Sequence, residues 1–237
     1  MISIQDYSVS LGDFRLKNIN LEIERGEIFA LIGRTGSGKS VLLESMAGFY
    51  SCYSGHILYD GVSVSSIPLE KRKIGFVYQD YCLFPHMTVL ANVEFGLKMH
   101  SVRKQERRSA ALRILDQLGI RHLIHRRPSA LSGGEQQRCA LARALVLEPE
   151  VLFMDEPFSA LDPNTKKEMY RLMREIHDRF HCTIVFVTHD FHEAAELADR
   201  VGVVIQGSLR EVCAADCLFH SHRDQEVEQF LHGKKAG

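Results

Sequence analysis

Gly33-Arg34-Thr35-Gly36-Ser37-Gly38-Lys39-Ser40 places three glycines, a lysine and a hydroxyl in eight consecutive residues. In such a run successive backbone N–H groups point inward at a phosphate, the lysine adds a point charge, and the serine hydroxyl suits Mg²⁺. The nucleotide-binding run is taken to extend through Val41. Two carboxylates, Asp155 and Glu156, follow the short apolar stretch Val151-Leu152-Phe153-Met154. That is a strand-end position, where open α/β sheets hold ligands. Asp155 is suited to a Mg²⁺ shell and Glu156 to polarising an attacking water. His189 ends a second apolar run, Thr183 to Val187, and is positioned to hydrogen-bond a γ-phosphate. Lys39, Glu156 and His189 are the candidate catalytic groups; Ser40 and Asp155 are candidate metal ligands.

The elements that must position these groups alternate between strand and helix. Glu27 to Ile32 reads as a buried strand entering the glycine run, and Val41 to Ala47 as a helix leaving it. Phe14 to Ile23 alternates like a half-buried strand, and Gly55 to Gly61 and Ile74 to Tyr78 add two more. From Thr88 to Gly119 the pattern turns helical, with Leu112, Leu115 and Leu118 at helix spacing and Gly119 as a stop. Val151 to Met154 and Thr183 to Val187 read as parallel strands beside the one that enters the glycine run. The fold expected is α/β: a phosphate-loop nucleotide-binding core with a mixed sheet, a small antiparallel β part and an inserted helical subdomain over about 80–145. The whole of 1–237 is expected to form one domain.

Composition narrows the partners. The 237 residues are 45% hydrophobic and carry a net charge of −1, so no strong field favours nucleic acid or anionic lipid. The amino terminus lacks the pattern of a signal peptide, and no stretch approaches the roughly 18 to 20 apolar residues that cross a bilayer. A cytosolic chain is expected. Its six cysteines (52, 82, 139, 182, 213 and 217) are scattered and read as reduced thiols. Cys213 and Cys217, followed by His220 and His222 in a segment that could be helical, are the one metal-like spacing outside the nucleotide core.

A further string, Leu131-Ser132-Gly133-Gly134-Glu135-Gln136-Gln137-Arg138, is the most specific of all. With the phosphate loop 33–40, Gln79, Asp155-Glu156, Ser159-Ala160-Leu161-Asp162 and His189, it makes the chain resemble the ATP-binding subunit of an ABC transporter over essentially its whole length. The resemblance implies ATP and Mg²⁺ as ligands and a head-to-tail dimer. In that dimer Ser132, Gly133 and Gly134 of one copy close over the ATP held by the phosphate loop of the other. It also implies that Asp162 crosses the dimer seam, and that Gln79 joins the Mg²⁺ shell and senses the transport partner. The aromatic segment Gln79 to Val89 resembles a groove for a membrane permease subunit, which places the chain peripherally at the cytoplasmic face of a membrane. An external solute-binding protein is then an indirect partner.

Within the family, Ile74 to Tyr81 and Leu83 to Val89, together with Ala47-Gly48-Phe49, look most like molybdate/tungstate importers; sulfate, iron and polyamine importers share much of this. An energy-coupling subunit of an oxyanion importer is the expectation. A soluble ABC ATPase acting on DNA or ribosomes, and a catalytically dead binder, are the alternatives. Two departures from the family pattern stand out. Leu11 occupies the place of an adenine-stacking aromatic, so either Phe14 moves in or stacking is lost and base discrimination weakens. The sequence also stops at Gly237, without the C-terminal β-rich regulatory domain many such ATPases carry, so direct inhibition by oxyanion is not expected.

Overall fold

The structure is a computed structural model that describes residues 1–51 and 53–233. In chain order its elements begin with strands β1 (Ile2–Leu11), β2 (Phe14–Ile23) and β3 (Ile28–Ile32), helix α1 (Lys39–Ala47), and strands β4 (Tyr53–Tyr59), β5 (Val62–Ser63) and β6 (Ile74–Val77). Helices α2 (Val89–Met99), α3 (Lys104–Gln117) and α4 (Gly133–Leu145) follow, then strand β7 (Val151–Asp155), helix α5 (Pro163–Phe180) and strand β8 (Thr183–Thr188). Helix α6 (Phe191–Leu197), strands β9 (Arg200–Ile205) and β10 (Ser208–Ala214) and helix α7 (Gln225–His232) complete the order. The chain divides into two compact units: Met1–Arg72 with the chain from Cys182 onward, and Lys73–His181.

In the first unit β3 is buried at all five positions, and its sequence, Ile-Phe-Ala-Leu-Ile, shows the unbroken apolar run of a strand covered on both faces. It runs parallel to β8 on one side and β9 on the other. β10 is antiparallel to β9. Side chains tie the strand entrances: Ile28 N–H donates to Asp199 Oδ2 at 2.8 Å and Gly26 N–H to Thr183 Oγ1 at 2.9 Å. A second, antiparallel sheet has the order β2-β1-β4-β5. The two-residue turn Gly12-Asp13 joins β1 to β2 and sets Leu11 directly opposite Phe14.

In the second unit β6 and β7 pair in parallel, Ile74 level with Val151. Long connections of this kind carry helices, and here α2, α3 and α4 pack on one another. The helical stretch expected over 80–145 lies inside this unit, which also takes in β6, β7 and α5. Helix α5 starts where Asp162 caps it and Pro163 fixes the first turn; Met169, Leu172, Met173 and Ile176 form its buried stripe.

Two expectations change. β7 was expected beside the strand that enters the phosphate loop; β8 is the strand that pairs with β3, and β7 pairs with β6. The stretch from Cys213 is not helical, because alternating burial along β10 makes Cys213 a strand residue opposite Val201, and Cys217 ends a single short turn. His222 is held on both ring nitrogens, by the Glu211 carboxylate at 2.9 Å and the Leu218 carbonyl at 3.0 Å. Among the described residues no group of three His, Cys, Asp or Glu side chains is arranged to hold a metal ion. Cys82, Cys139, Cys182, Cys213 and Cys217 are free thiols, and Cys52 lies outside the described residues.

Candidate functional site

The phosphate loop belongs to the first unit, where β3 delivers the chain to α1. Gly36 and Gly38 adopt φ values of 78° and 105°, which turn the backbone in a way that residues with a Cβ resist. Ser37 N–H donates to the Arg34 carbonyl at 3.0 Å and closes the turn. The loop is braced from outside: Gly207 N–H donates to Ser37 O at 2.9 Å, and Lys17 N–H to Gly207 O at 2.8 Å. Gly33 is fixed by a close approach, since a Cβ there would lie 2.3 Å from the Val204 carbonyl oxygen. Lys39, 5% exposed, folds back so that Nζ donates to the Gly33 and Arg34 carbonyls at 3.0 and 3.2 Å. The charge therefore sits over the loop, at the N-terminal end of α1, where the helix dipole is also positive. The Ser37 hydroxyl is buried without a hydrogen-bond partner among the described residues. Loop, lysine and unsatisfied hydroxyl together fit an oxyanion such as a phosphate.

Lys39, Ser40 and Val41 line a cavity of about 320 Å³ with Gly36, Gly38 and Phe14. The Phe14 ring lies against the loop: a Cβ on Gly38 would lie 2.5 Å from Phe14 Cζ. A second cavity, of about 360 Å³, is shared by Arg34 to Ser37, the Val204–Gln206 turn and Glu226, Gln229 and Phe230 of α7. At the end of β8, the buried Thr188 hydroxyl donates to Glu193 and accepts from Asp190 N–H, and Asp190 caps α6 through His192 N–H. This tight turn presents His189 at the surface of the first unit.

The second unit carries the acids and the helix-start motif. Asp155 ends β7, and Glu156 follows with φ 42°, a left-handed conformation that costs a residue with a Cβ about 1–2 kcal/mol. The Glu156 carbonyl accepts from Ser159 N–H at 3.3 Å and from Ser159 Oγ at 3.0 Å, which holds the bend. Both carboxylate-bearing residues are half-buried. Ser132 caps α4 in a reciprocal pair: its hydroxyl accepts from Glu135 N–H at 3.3 Å, and its own N–H donates to Glu135 Oε2 at 2.7 Å. That N–H holds the Glu135 carboxyl below its usual range. Gly133 has open space around it, so Ser132, Gly133 and the start of α4 form an exposed, donor-rich turn. Asp162 is exposed, and its carboxylate is engaged at the start of α5, accepting from the Thr165 hydroxyl and from the N–H groups of Asn164 and Thr165. The Thr165 hydroxyl is foremost in holding it below the usual carboxylate range.

Gln79 is exposed at the start of the aromatic segment. The segment divides its side chains: Tyr81 and Val89 are buried, while Leu83, Phe84 and Met87 are half-buried and Pro85 and His86 exposed. Two groups escaped the sequence reading. The Val204 to Gly207 turn that braces the phosphate loop reads locally as an ordinary turn after an apolar run. Arg143 looks like a surface cation of a helix, yet it reaches the carbonyls of Tyr81 and Cys82.

The ABC transporter family model matches residues 16–159, more than half of the chain. The chain belongs to the ABC transporter family. This cassette is 43% identical over 231 residues to a molybdate/tungstate import ATP-binding protein of Pyrococcus horikoshii, covering 98% of this chain and 67% of that one. It is also 43% identical over 237 residues to a sulfate/thiosulfate import ATP-binding protein of Escherichia coli, covering 97% of this chain and 64% of that one. The cassette thus spans about two thirds of the length of these relatives. Among solved structures it resembles an ATP-binding cassette captured as a dimer after hydrolysis with ADP and phosphate, with TM-score 0.79, 30% identity, and coverage of 91% of this chain and 99% of that one. It also resembles cbiO1 of Clostridium perfringens, part of the cbiONQ transporter complex, with TM-score 0.84, 32% identity, and coverage of 92% and 90%. As an ABC ATPase the cassette binds ATP. Among its described residues no helix is long and apolar enough to cross a membrane.

Proposed function

We propose that this chain is the ATP-hydrolysing subunit of an importer for a tetrahedral oxyanion, molybdate or tungstate first. It works as a head-to-tail pair of copies against permease subunits at the cytoplasmic face of a membrane. The observation that carries the ATPase reading is the braced phosphate loop, with Lys39 buried over it and Phe14 beside it. Lys39 neutralises phosphate charge, and the N–H groups of Gly36 to Ser40 receive the phosphate oxygens. Glu156, bent out of the strand end, polarises the attacking water, and His189 hydrogen-bonds the terminal phosphate. Ser40, Asp155 and Gln79, which the family resemblance assigns to Mg²⁺, each carry the oxygen donor that this ion prefers, and the ion would neutralise charge on the phosphates. The turn at Ser132-Gly133-Gly134, exposed at its first two residues, supplies a hydroxyl, N–H groups and a helix dipole to the ATP of the second copy, and Asp162 stands at the seam between copies.

The substrate class rests on relatives for molybdate/tungstate and for sulfate/thiosulfate at equal identity. Cargo selection then belongs to the permease and an external binding protein. The half-buried Leu83, Phe84 and Met87 after Gln79 form the face offered to the permease. The test is to recover the permease and binding protein that co-purify with the tagged chain and titrate that binding protein with molybdate, tungstate and sulfate. Tight molybdate or tungstate binding supports the reading. A binding protein that ignores all three anions overturns the substrate class, and a chain without ATPase activity in the complex overturns the rest.

A further inference from the structure

Two consecutive residues shortly after Gln79, Tyr81 and Cys82, adopt left-handed φ values of 62° and 43°. Both lack the freedom of glycine, and such a pair persists only where its surroundings hold it. One side chain reaches both: Arg143 Nη2 donates to the Tyr81 carbonyl at 2.8 Å and Nη1 to the Cys82 carbonyl at 2.6 Å. The same guanidinium lies over the Phe84 ring, 5.3 Å from its centre. A planar fork with fixed donor directions suits two successive carbonyls; a lysine ammonium is a point donor. On the other side Asn92 of α2 accepts from Phe84 N–H at 2.8 Å and donates to the carbonyls of Phe84 and Thr88. The segment is therefore clamped between α2 and α4.

Arg143 stands near the far end of the helix that Ser132 caps. From Gly133 to Arg143 that helix is a rod of about 15 Å, with no proline or internal glycine beyond its first turn to bend it. We infer that Arg143 is a positioning residue that locks the segment after Gln79 to α4, so that displacement of that segment moves the Ser132-Gly133-Gly134 turn with it. The inference rests on the proposed function, in which the segment meets a permease and the turn closes on a second copy's ATP. In those terms Arg143 transmits between the two surfaces and touches neither ligand.

The experiment measures amide exchange of the full chain without nucleotide over 79–89 and 131–138, in the wild type, Arg143→Lys and Arg143→Met. Losing charge-assisted bonds to two carbonyls raises exchange over 79–89 by about tenfold or more in Arg143→Met, with Arg143→Lys between it and wild type. Affinity for ATP, set by the phosphate loop, stays within about twofold. In a Glu156→Gln background ATP-dependent dimerisation weakens by about tenfold with Arg143→Met, so nucleotide binding and closure separate. If Arg143→Met unfolds the chain, Arg143→Lys decides, because a point donor keeps the charge but cannot span both carbonyls, and exchange over 79–89 still rises above wild type. Unchanged exchange over 79–89 in Arg143→Met, or in Arg143→Lys where the methionine variant unfolds, overturns the latch. A latch that behaves as stated in a Glu156→Gln chain that never dimerises with ATP overturns the transport reading instead.

Discussion

Replacing Phe14 with alanine separates what the phosphate loop does from what its neighbour does. The ring projects from the start of β2, opposite Leu11, and lines the cavity that also holds Lys39, Ser40 and Val41. It is half-buried, so truncation costs about 1–2 kcal/mol of a folding stability of roughly 5–15 kcal/mol, and the chain stays folded. If the ring carries the nucleobase, its loss removes about 1–3 kcal/mol of stacking, taking base–aromatic values from nucleic-acid binding, or about 5- to 150-fold in affinity. Calorimetric titration of the isolated chain with ATP, GTP and inorganic tripolyphosphate resolves the question. ATP and GTP should both weaken by about tenfold or more, since either purine presents a face to the ring, while tripolyphosphate stays within about twofold because it reads only the loop. Phe14→Tyr should bind ATP like the wild type, and Leu11→Tyr, which adds a second ring across the strand pair, should tighten it. Equal losses for ATP and tripolyphosphate would refute the reasoning, because the ring would then merely prop Gly38; no loss for ATP would refute it as well.

Other outcomes follow from the same geometry. Glu156→Gln should keep ATP binding but stop turnover and trap a dimer; elution as a monomer with ATP on a sizing column would contradict the shared site. Gly207→Ala should destabilise the chain by about 2 kcal/mol or more and weaken tripolyphosphate binding, since a Cβ there meets the Arg15 carbonyl oxygen at 2.0 Å and φ is 80°; thermal melts and titration test this. Burial lowers the affinity of His222 for a proton, but the hydrogen bonds to Glu211 and Leu218 and the charges of Glu211 and Glu228 outweigh it, so its pKa stands above the usual value. Its contribution to stability is therefore full below about pH 6.5 and fades as the pH rises through the elevated value in the folded chain. Amide exchange over α7 should accelerate on going to alkaline pH beyond the intrinsic rate, and a His222→Gln chain that accelerates equally would exclude His222 as the cause.

The residues legible in advance were those whose partners lie close in sequence. The phosphate loop declares itself because one strand, one turn and one helix start suffice to build it. Strand alternation likewise placed β2 at its observed bounds, since one buried face imposes period two. What escaped depends on contacts between distant segments. Nothing near Gly207 reveals that its N–H braces Ser37, and a helix-like reading of Cys213 ignored the pairing with β9 that makes it a strand residue. Arg143 is the sharpest case, because its spacing from Ser132 says only that both share a helix. Its meaning comes from two carbonyls about sixty residues earlier, in backbone conformations no local rule assigns to tyrosine and cysteine. Chemistry at the nucleotide is therefore written in short motifs, whereas the parts that would carry motion between a partner surface and a helix start are written in tertiary contacts. For this chain, variants of the motifs test whether ATP is hydrolysed, and variants of Arg143 test whether hydrolysis is connected to anything.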